Sequence, residues 1–157
     1  MLSIYPASPA FLLHVQDFPC VALSDSGAHF TSISRRLAEH LEERGITTIY
    51  REPEEVEVYN GGIVQMEFKA KVNIGNDVEA IPLTCFIADA TEFDLSIGND
   101  FLIATGIKIN WETFEYTLFD ATYDFLTLQQ CDELFAKSDE YFDQLDFCGA
   151  STPRSQD

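Results

Sequence analysis

Basic side chains are scarce in this chain of 157 residues. Nine Lys and Arg stand against 27 Asp and Glu, which gives a formal net charge of −18 at pH 7. A charge of this sign and size repels nucleic-acid phosphates and anionic lipid surfaces. We therefore expect no direct binding to nucleic acid and no attachment to a membrane. We also expect two copies of the chain to repel each other at neutral pH.

Cysteine and histidine are also few, and their spacing does not favour metal or redox chemistry. The four cysteines, Cys20, Cys85, Cys131 and Cys148, form no Cys-x-x-Cys pair and have no histidine at ligand spacing. No zinc site or redox pair is predicted, and the thiols are expected to be free in a reducing compartment. The N-terminal residues show no basic leader and no long apolar run, so an intracellular protein, cytoplasmic or nuclear, is expected.

Long hydrophobic runs and internal repeats are absent, and short alternating runs take their place. With 46% hydrophobic and 13% aromatic residues, the composition is that of a folded domain. Alternation of apolar and polar residues predicts strands, and hence a mostly-β fold. The predicted strands cover 11–15, 20–24, 55–58, one long strand at 64–74, 78–88, 93–98, 107–111 and 114–119. Short helices are predicted over 34–44 and 99–105.

Local features refine this prediction at three places. The Asn60-Gly61-Gly62 run is typical of a tight hairpin turn between the strands at 55–58 and 64–74. Pro82 cannot donate a backbone hydrogen bond, so it is expected at a sheet edge or a bulge. Arg35 and Arg36 are unfavourable in the first turn of the helix at 34–44, where the helix dipole prefers negative charge.

The character of the chain changes at Asp120. Nine of the residues from 120 to 157 are acidic. Apolar residues recur among them at helical spacing between 127 and 147, which predicts an acidic amphipathic helix. Its apolar stripe favours packing against the rest of the protein, with a partner-binding helix as the alternative. The predicted organisation is therefore a domain over 1–119 and an extension over 120–157.

The residues that favour chemistry are Asp25, Ser26 and Gly27. A carboxylate that activates water needs a fixed orientation, neighbouring hydroxyl and N–H groups, and a glycine where two backbones pass closely. Taken alone, Asp-Ser-Gly is also the ordinary vocabulary of turns. An Asp-Ser-Gly-x-x-Ser phosphorylation motif is a further alternative, but Phe30 occupies its last position.

Four stretches in order resemble retropepsin-like aspartic proteases, the retroviral and long-terminal-repeat retrotransposon type. VALSDSGAHFTSIS at 21–34 resembles their active-site loop, and the run from Val58 to Gly62 falls where they have a flap hairpin. FDLSIGNDFL at 93–102 resembles their second signature, and IKINWETFEYTLF at 107–119 resembles the closing hairpin of the retrotransposon members. The resemblance covers about residues 11–119. It implies a closed β-barrel of the acid protease fold, as a single lobe.

The resemblance also implies roles for individual residues. Asp25 would be the catalytic carboxylate, Ser26 the hydroxyl that ties two paired loops together, and Gly27 the close-approach glycine. Ala28 would line the substrate site beside them, and Ile97 and Gly98 would support the loop from behind. The flap residues that would cover a substrate are Tyr59, Asn60, Gly61, Gly62 and Ile63.

The implied activity is that of an aspartic endopeptidase, a hydrolase that needs no metal and no organic cofactor. Because the chain has one Asp-Ser-Gly loop, a homodimer is required to supply two carboxylates. The implied substrate is an extended polypeptide, including the polyprotein of a retroelement. The alternative is a protease-like domain that no longer cleaves and acts as a dimerisation or peptide-binding module. The chain departs from many retroviral members at His29 and Asn99, where an ion pair is absent, and its long C-terminal extension puts a terminal dimer sheet in doubt.

Overall fold

A computed structural model describes residues 4–25, 27–51, 54–57, 61–66, 68–89 and 93–151. The described part of the chain forms twelve strands and three helices. In chain order they are β1 Ala10–Val15, β2 Phe18–Ser24, β3 Ser32–Ser34, α1 Arg35–Glu43, β4 Ile49–Tyr50, β5 Glu54–Glu57, β6 Ile63–Met66, β7 Lys69–Gly75, β8 Ala80–Ala88, β9 Leu95–Ile97, α2 Asn99–Thr105, β10 Lys108–Asn110, β11 Glu115–Leu118, β12 Ala121–Asp124 and α3 Leu128–Ser151. The predicted mostly-β class is confirmed.

Six strands close into a barrel. They pair in the order β1-β2-β9-β3-β8-β7, and β7 returns to β1 through the pairs His14↔Gly75 and Val15↔Ile74. β4 is added outside the ring on β7. Apolar residues from most of these strands fill the interior, and α1 and α2 add Leu37, Leu41 and Phe101 to the same core. Closure of the sheet gives each of the six strands two neighbours and leaves few edges.

The predicted long strand at 64–74 is wrong in one respect, because the chain forms two strands there. β7 shows the expected alternation, with Ala70, Val72 and Ile74 buried. β6 instead pairs with β5 in a two-stranded hairpin outside the barrel sheet. The hairpin itself is confirmed. A continuous alternation of side chains does not reveal a change of pairing partner, since both strands have the same period of two.

The hairpin β1–β2, the turn before β8, and the helix α2 ending at Gly106 all follow the prediction. Pro82 lies in the part of β8 that pairs only with β7, because β3 joins β8 at Phe86–Ala88. Its missing N–H is therefore accommodated at an edge. Gly106 has φ 64°, the left-handed conformation that commonly ends a helix.

Ser34 caps the N-terminus of α1, and its hydroxyl accepts a hydrogen bond from the Leu37 N–H. The two arginines of its first turn are compensated by carboxylates from elsewhere in the chain. Arg35 forms an ion pair with Asp89. Arg36 donates to both oxygens of the buried Asp94 at 2.9 Å and to Asp139 of α3 at 2.8 Å. These hydrogen bonds, chiefly those to Asp94, raise the pKa of Arg36.

The C-terminal part of the chain adds a three-stranded sheet, β10-β11-β12, and the helix α3. β12 was not predicted, and it continues the sheet past residue 119. The division of the chain into a domain over 1–119 and an extension over 120–157 stays a prediction. α3 confirms the expected helix and covers the outer side of β2, where Cys131 packs with Ala10, Val21 and Leu126. Cys20, Cys85 and Cys131 are buried free thiols. None of the helices in the described ranges is long and apolar enough to cross a membrane.

Candidate active site

Asp25 lies on the loop that joins β2 to β3, at one end of the barrel. β9 runs between these two strands, parallel to β2 and antiparallel to β3. The loop therefore passes over the carboxyl end of β9, where Gly98 leads into α2. This topology brings together two stretches that are about seventy residues apart in sequence and that carry the predicted site residues.

The Asp25 carboxylate is exposed, and its local conformation is held by three hydrogen bonds. The Asp25 N–H donates to the Ile97 carbonyl at 2.9 Å, and the Asp25 carbonyl accepts from the Ala28 N–H at 3.1 Å. Asp25 Oδ1 accepts from the Gly27 N–H at 3.0 Å. A Cβ at Gly27 would lie 3.3 Å from the same oxygen, so a side chain here would require the carboxylate to shift by a few tenths of an ångström. The result is a carboxylate that faces outward in a fixed orientation. Ser26 lies outside the described residues.

Gly98 is the point of closest approach between the two stretches. A Cβ at this position would lie 2.5 Å, 2.6 Å and 2.7 Å from the backbone C, O and N atoms of Phe30. Its backbone is extended, at φ −99°, so glycine is required here for space rather than for conformation. The carbonyls of Ala28 and His29 then accept hydrogen bonds from the first N–H groups of α2, on Asn99 and Asp100. Backbone hydrogen bonds thus hold the loop at His29 and Asn99, the two positions where the sequence departs from many retroviral members.

Two residues that the sequence analysis did not single out, Thr31 and Asp100, join the loop to α2. Asp100 accepts hydrogen bonds from the Thr31 N–H at 3.1 Å and the Thr31 hydroxyl at 2.7 Å. The same hydroxyl accepts from the Gly98 N–H at 3.1 Å. Thr31 is fully buried and Asp100 partly exposed, so these bonds are partly shielded from water. The sequence signal for Asp100 is its place in the first turn of the short helix, where the helix dipole favours an acidic residue.

The predicted flap residues lie on a different element. Gly61 and Gly62 precede β6, and Ile63 is its first residue and is exposed. Gly61 has φ 84°, as expected at a tight turn. Tyr59 and Asn60 lie outside the described residues. The structure therefore brings together Asp25, Gly27, Ala28, Ile97 and Gly98, and it places Gly61, Gly62 and Ile63 at the separate β5–β6 hairpin.

This arrangement supports one kind of chemistry. A fixed, exposed carboxylate can accept a proton from water. Among the described residues there is also no group of three or more His, Cys, Asp or Glu placed to hold a metal. One chain presents one such carboxylate loop. A reaction that needs a second carboxyl group would have to take it from a second copy.

The closed barrel, with an aspartate loop crossing the end of a central strand, is the retropepsin-like fold. It is similar to the retroviral protease-like domain of Ddi1 from Leishmania major, with a TM-score of 0.56 and 16% identity over 80% of this chain and 95% of that chain. It is also similar to the EIAV protease complexed with the inhibitor HBY-793, with a TM-score of 0.49 and 20% identity over 70% of this chain and 99% of that chain. No family model and no curated protein matches the sequence.

Proposed function

We propose that the protein is an aspartic endopeptidase that acts as a homodimer on extended polypeptides. The observation that carries this proposal is the position of Asp25. Its carboxylate is exposed at the end of a retropepsin-like barrel, on a loop held from beneath by Ile97, Gly98 and Asp100. The second stretch is joined to Asp25 itself by the hydrogen bond to the Ile97 carbonyl and to the rest of the loop by the close approach of Gly98 to Phe30.

The chemistry follows from bringing two such carboxylates together. Two like charges a few ångströms apart cannot both be ionised at low cost, so the pair shares one proton. The ionised member accepts a proton from water, and the protonated member donates to the carbonyl oxygen of the scissile bond. Water attacks directly, so the peptide bond is cleaved without a covalent intermediate on the protein. In this proposal Gly27 and Ser26 are at the contact between the two loops.

The substrate would lie extended between the Asp25 loop and the β5–β6 hairpin. An extended peptide presents backbone donors and acceptors on both sides, which a flap backbone at 59–63 could bind, while side-chain pockets would set the preference. Ala28 follows the catalytic turn and would line the cleft. A polyprotein, as in retroelements, is the substrate class that the sequence resemblance implies. In this scheme residues 1–119 are the catalytic unit, and α3 is a support on its outer side.

The direct test is cleavage of a peptide mixture at about pH 4–6, the range in which a shared-proton pair is competent, followed by mass spectrometry. The wild-type protein is expected to cleave. Asp25→Asn is expected to lower the rate by about 10³-fold or more, because it removes the group that activates water. Asp143→Asn, on the exposed side of α3, removes the same charge and is expected to leave the rate unchanged.

A statine-type transition-state analogue offers a second readout, because it should bind the wild-type dimer far more tightly than a substrate peptide. Absence of cleavage by the wild-type protein, or cleavage that survives in Asp25→Asn, would contradict the proposal. The first of these results, together with retained self-association, would favour the alternative of an inactive dimerisation or peptide-binding module.

A further inference from the structure

A cavity lies where α3 passes the turn between β1 and β2 and the C-terminal end of α1. Its volume is about 320 Å³. Phe18 and Pro19 contribute apolar surface from β2, and Leu134 and Tyr141 contribute it from α3. Small-molecule sites typically have volumes of about 300–1,000 Å³, so this cavity is at the lower end of that range. It therefore has the size and the walls for a small ligand with an apolar body.

Two basic side chains also line this cavity, Arg44 at the C-terminal end of α1 and Lys137 of α3. The whole sequence has only nine Lys and Arg, against 27 Asp and Glu. Of the described residues that line the cavity, Asp17 is the only acidic one. The lining therefore carries more positive than negative charge, in a chain whose net charge is −18. This local reversal of sign favours an anionic group on the ligand.

Both basic groups are available to bind such a group. Arg44 approaches Asp17 at 3.7 Å, but the two side chains are 46% and 74% exposed, and an ion pair so open to water contributes little. Lys137 forms no ion pair with a carboxylate in the part of the chain that the structure describes. A carboxylate that binds both cations would therefore form charge-assisted hydrogen bonds without first breaking a strong interaction. The Ser138 hydroxyl, in the same lining, is a further donor.

The apolar walls are held in place by contacts between aromatic rings. The Phe18 ring lies 5.5 Å from the Tyr141 ring and 5.3 Å from the Phe142 ring, measured between centroids. The Tyr141 hydroxyl is 3.1 Å from Nε2 of His40 on α1. These contacts join α3 to both β2 and α1. Since the walls are already ordered, little side-chain freedom is lost when a ligand binds.

We propose that this cavity binds a small amphipathic carboxylate. The apolar body of the ligand would contact Phe18, Pro19 and Leu134. Its carboxylate would lie between Arg44 and Lys137. A neutral or cationic ligand with the same body would bury the same apolar surface but would not form the charge-assisted hydrogen bonds.

This site lies away from the proposed catalytic loop. β2 begins at Phe18, which lines the cavity, and ends at Ser24, the residue before Asp25. An extended strand of seven residues spans about 20 Å. The inference is therefore independent of the proposed function. A ligand bound here would connect α3 to the barrel and would leave the Asp25 loop uncovered.

Three probes that share one apolar body test the charge preference: phenylbutyrate, phenylbutanol and phenylbutylamine. Each is titrated into the 157-residue chain at pH 7, and binding is followed by NMR amide chemical shifts. We expect phenylbutyrate to bind at least about tenfold more tightly than the other two, because it alone can pair with both cations. It should also raise the melting temperature, since it binds the folded chain. Equal binding of the three probes, or no binding of phenylbutyrate, would overturn the proposal.

Substitutions locate the binding site with a control matched in charge. Lys137→Glu should weaken phenylbutyrate binding by about tenfold or more, because it replaces a cation of the lining with an anion. Lys108→Glu makes the same change at an exposed residue of β10 that does not line the cavity, and it should bind like the wild-type protein. Ser138→Phe keeps both cations but fills the cavity, so it should abolish binding.

Lys137→Glu is the decisive variant if Ser138→Phe fails to fold, because Lys137 is exposed. Equal affinities of Lys137→Glu and Lys108→Glu for phenylbutyrate would show that the anion binds elsewhere. The carboxyl terminus of a polypeptide with an apolar last residue offers the same chemistry as the proposed ligand. A short peptide that ends in phenylalanine, with a free or an amidated terminus, distinguishes this source. Tighter binding of the free-terminus peptide than of phenylbutyrate would overturn the assignment to a small molecule, and weaker binding would support it.

Discussion

At the scale of single residues, the position of Asp25 depends mainly on uncharged backbone atoms, with the Asp100 carboxylate holding the loop through Thr31. The loop is held by backbone hydrogen bonds and by the absence of a side chain at Gly98. Thr31 adds one hydroxyl that both donates and accepts. An exposed carboxylate is thus held on a supported loop, with its Oδ1 accepting the Gly27 N–H.

Gly98→Ala tests this arrangement. The new methyl group would overlap the Phe30 backbone, so the loop must move, and we expect a stability loss of about 1–3 kcal/mol or more. Peptide cleavage should fall with it. Gly106→Ala is the control, because Gly106 has open space but a left-handed backbone at φ 64°, which costs about 1–2 kcal/mol for alanine.

Urea unfolding and peptide cleavage, measured together on both variants, check this prediction. Gly106→Ala should keep its activity at temperatures where it is folded. A Gly98→Ala variant that cleaves at the wild-type rate would show that the close approach at Phe30 is not needed for the site.

At the scale of elements, α3 is joined to the barrel through Arg36. Its guanidinium lies over the Phe142 ring, with 4.5 Å from Cζ to the centroid, and it binds Asp94 of the barrel and Asp139 of α3. The two carboxylates differ in environment, since the side chain of Asp94 is 5% exposed and that of Asp139 is 63% exposed. A buried charge that loses its partner is costly, whereas an exposed pair contributes little.

We therefore expect Arg36→Ala to lower the free energy of unfolding by about 3–5 kcal/mol, because Asp94 remains buried without its counter-charge. Asp139→Asn should cost less than about 1 kcal/mol. The double variant Arg36→Ala with Asp94→Asn should recover part of the loss, because it removes the unpaired charge. Chemical unfolding of the three variants measures all of these values. Equal losses for Arg36→Ala and Asp139→Asn would contradict this account of α3 docking.

At the scale of the whole molecule, the net charge opposes the assembly that the proposed chemistry requires. The charge is −18 at pH 7 and falls towards zero near the isoelectric point of about 4.2. Protonation of carboxylates lowers the repulsion between two copies, and salt screens it over a length of about 8–10 Å at physiological ionic strength. Assembly and a shared-proton pair of carboxyl groups are thus both favoured at acidic pH.

Self-association should accordingly tighten as pH falls from 7 to 5, and also as salt is raised at constant pH 7. Both changes act in the same direction because both weaken repulsion between like charges. Sedimentation equilibrium over a grid of pH and salt measures the effect. Association that weakens with added salt would indicate attraction between opposite charges and would contradict this prediction.

The amino-acid sequence by itself determined the local elements and the order of the site residues along the chain. The β1–β2 hairpin, the alternation of β7, the end of α2 at Gly106 and the turn at Asp25 all follow from patterns within about ten residues. Such patterns are readable because strand and helix periods, turn glycines and caps act between near neighbours. The resemblance to a known family then supplied the fold that joins them.

Only the tertiary structure decided which distant residues meet. The division of 64–74 into β6 and β7, the hydrogen bonds of Thr31 to Asp100, and the bridge from Arg36 to Asp139 were not predicted. The last two join residues 69 and 103 positions apart. No local period encodes such a pair, because it depends on how the closed sheet folds back and where α3 crosses it. The carboxylates that form ion pairs with the two arginines in the first turn of α1 also come from distant parts of the chain.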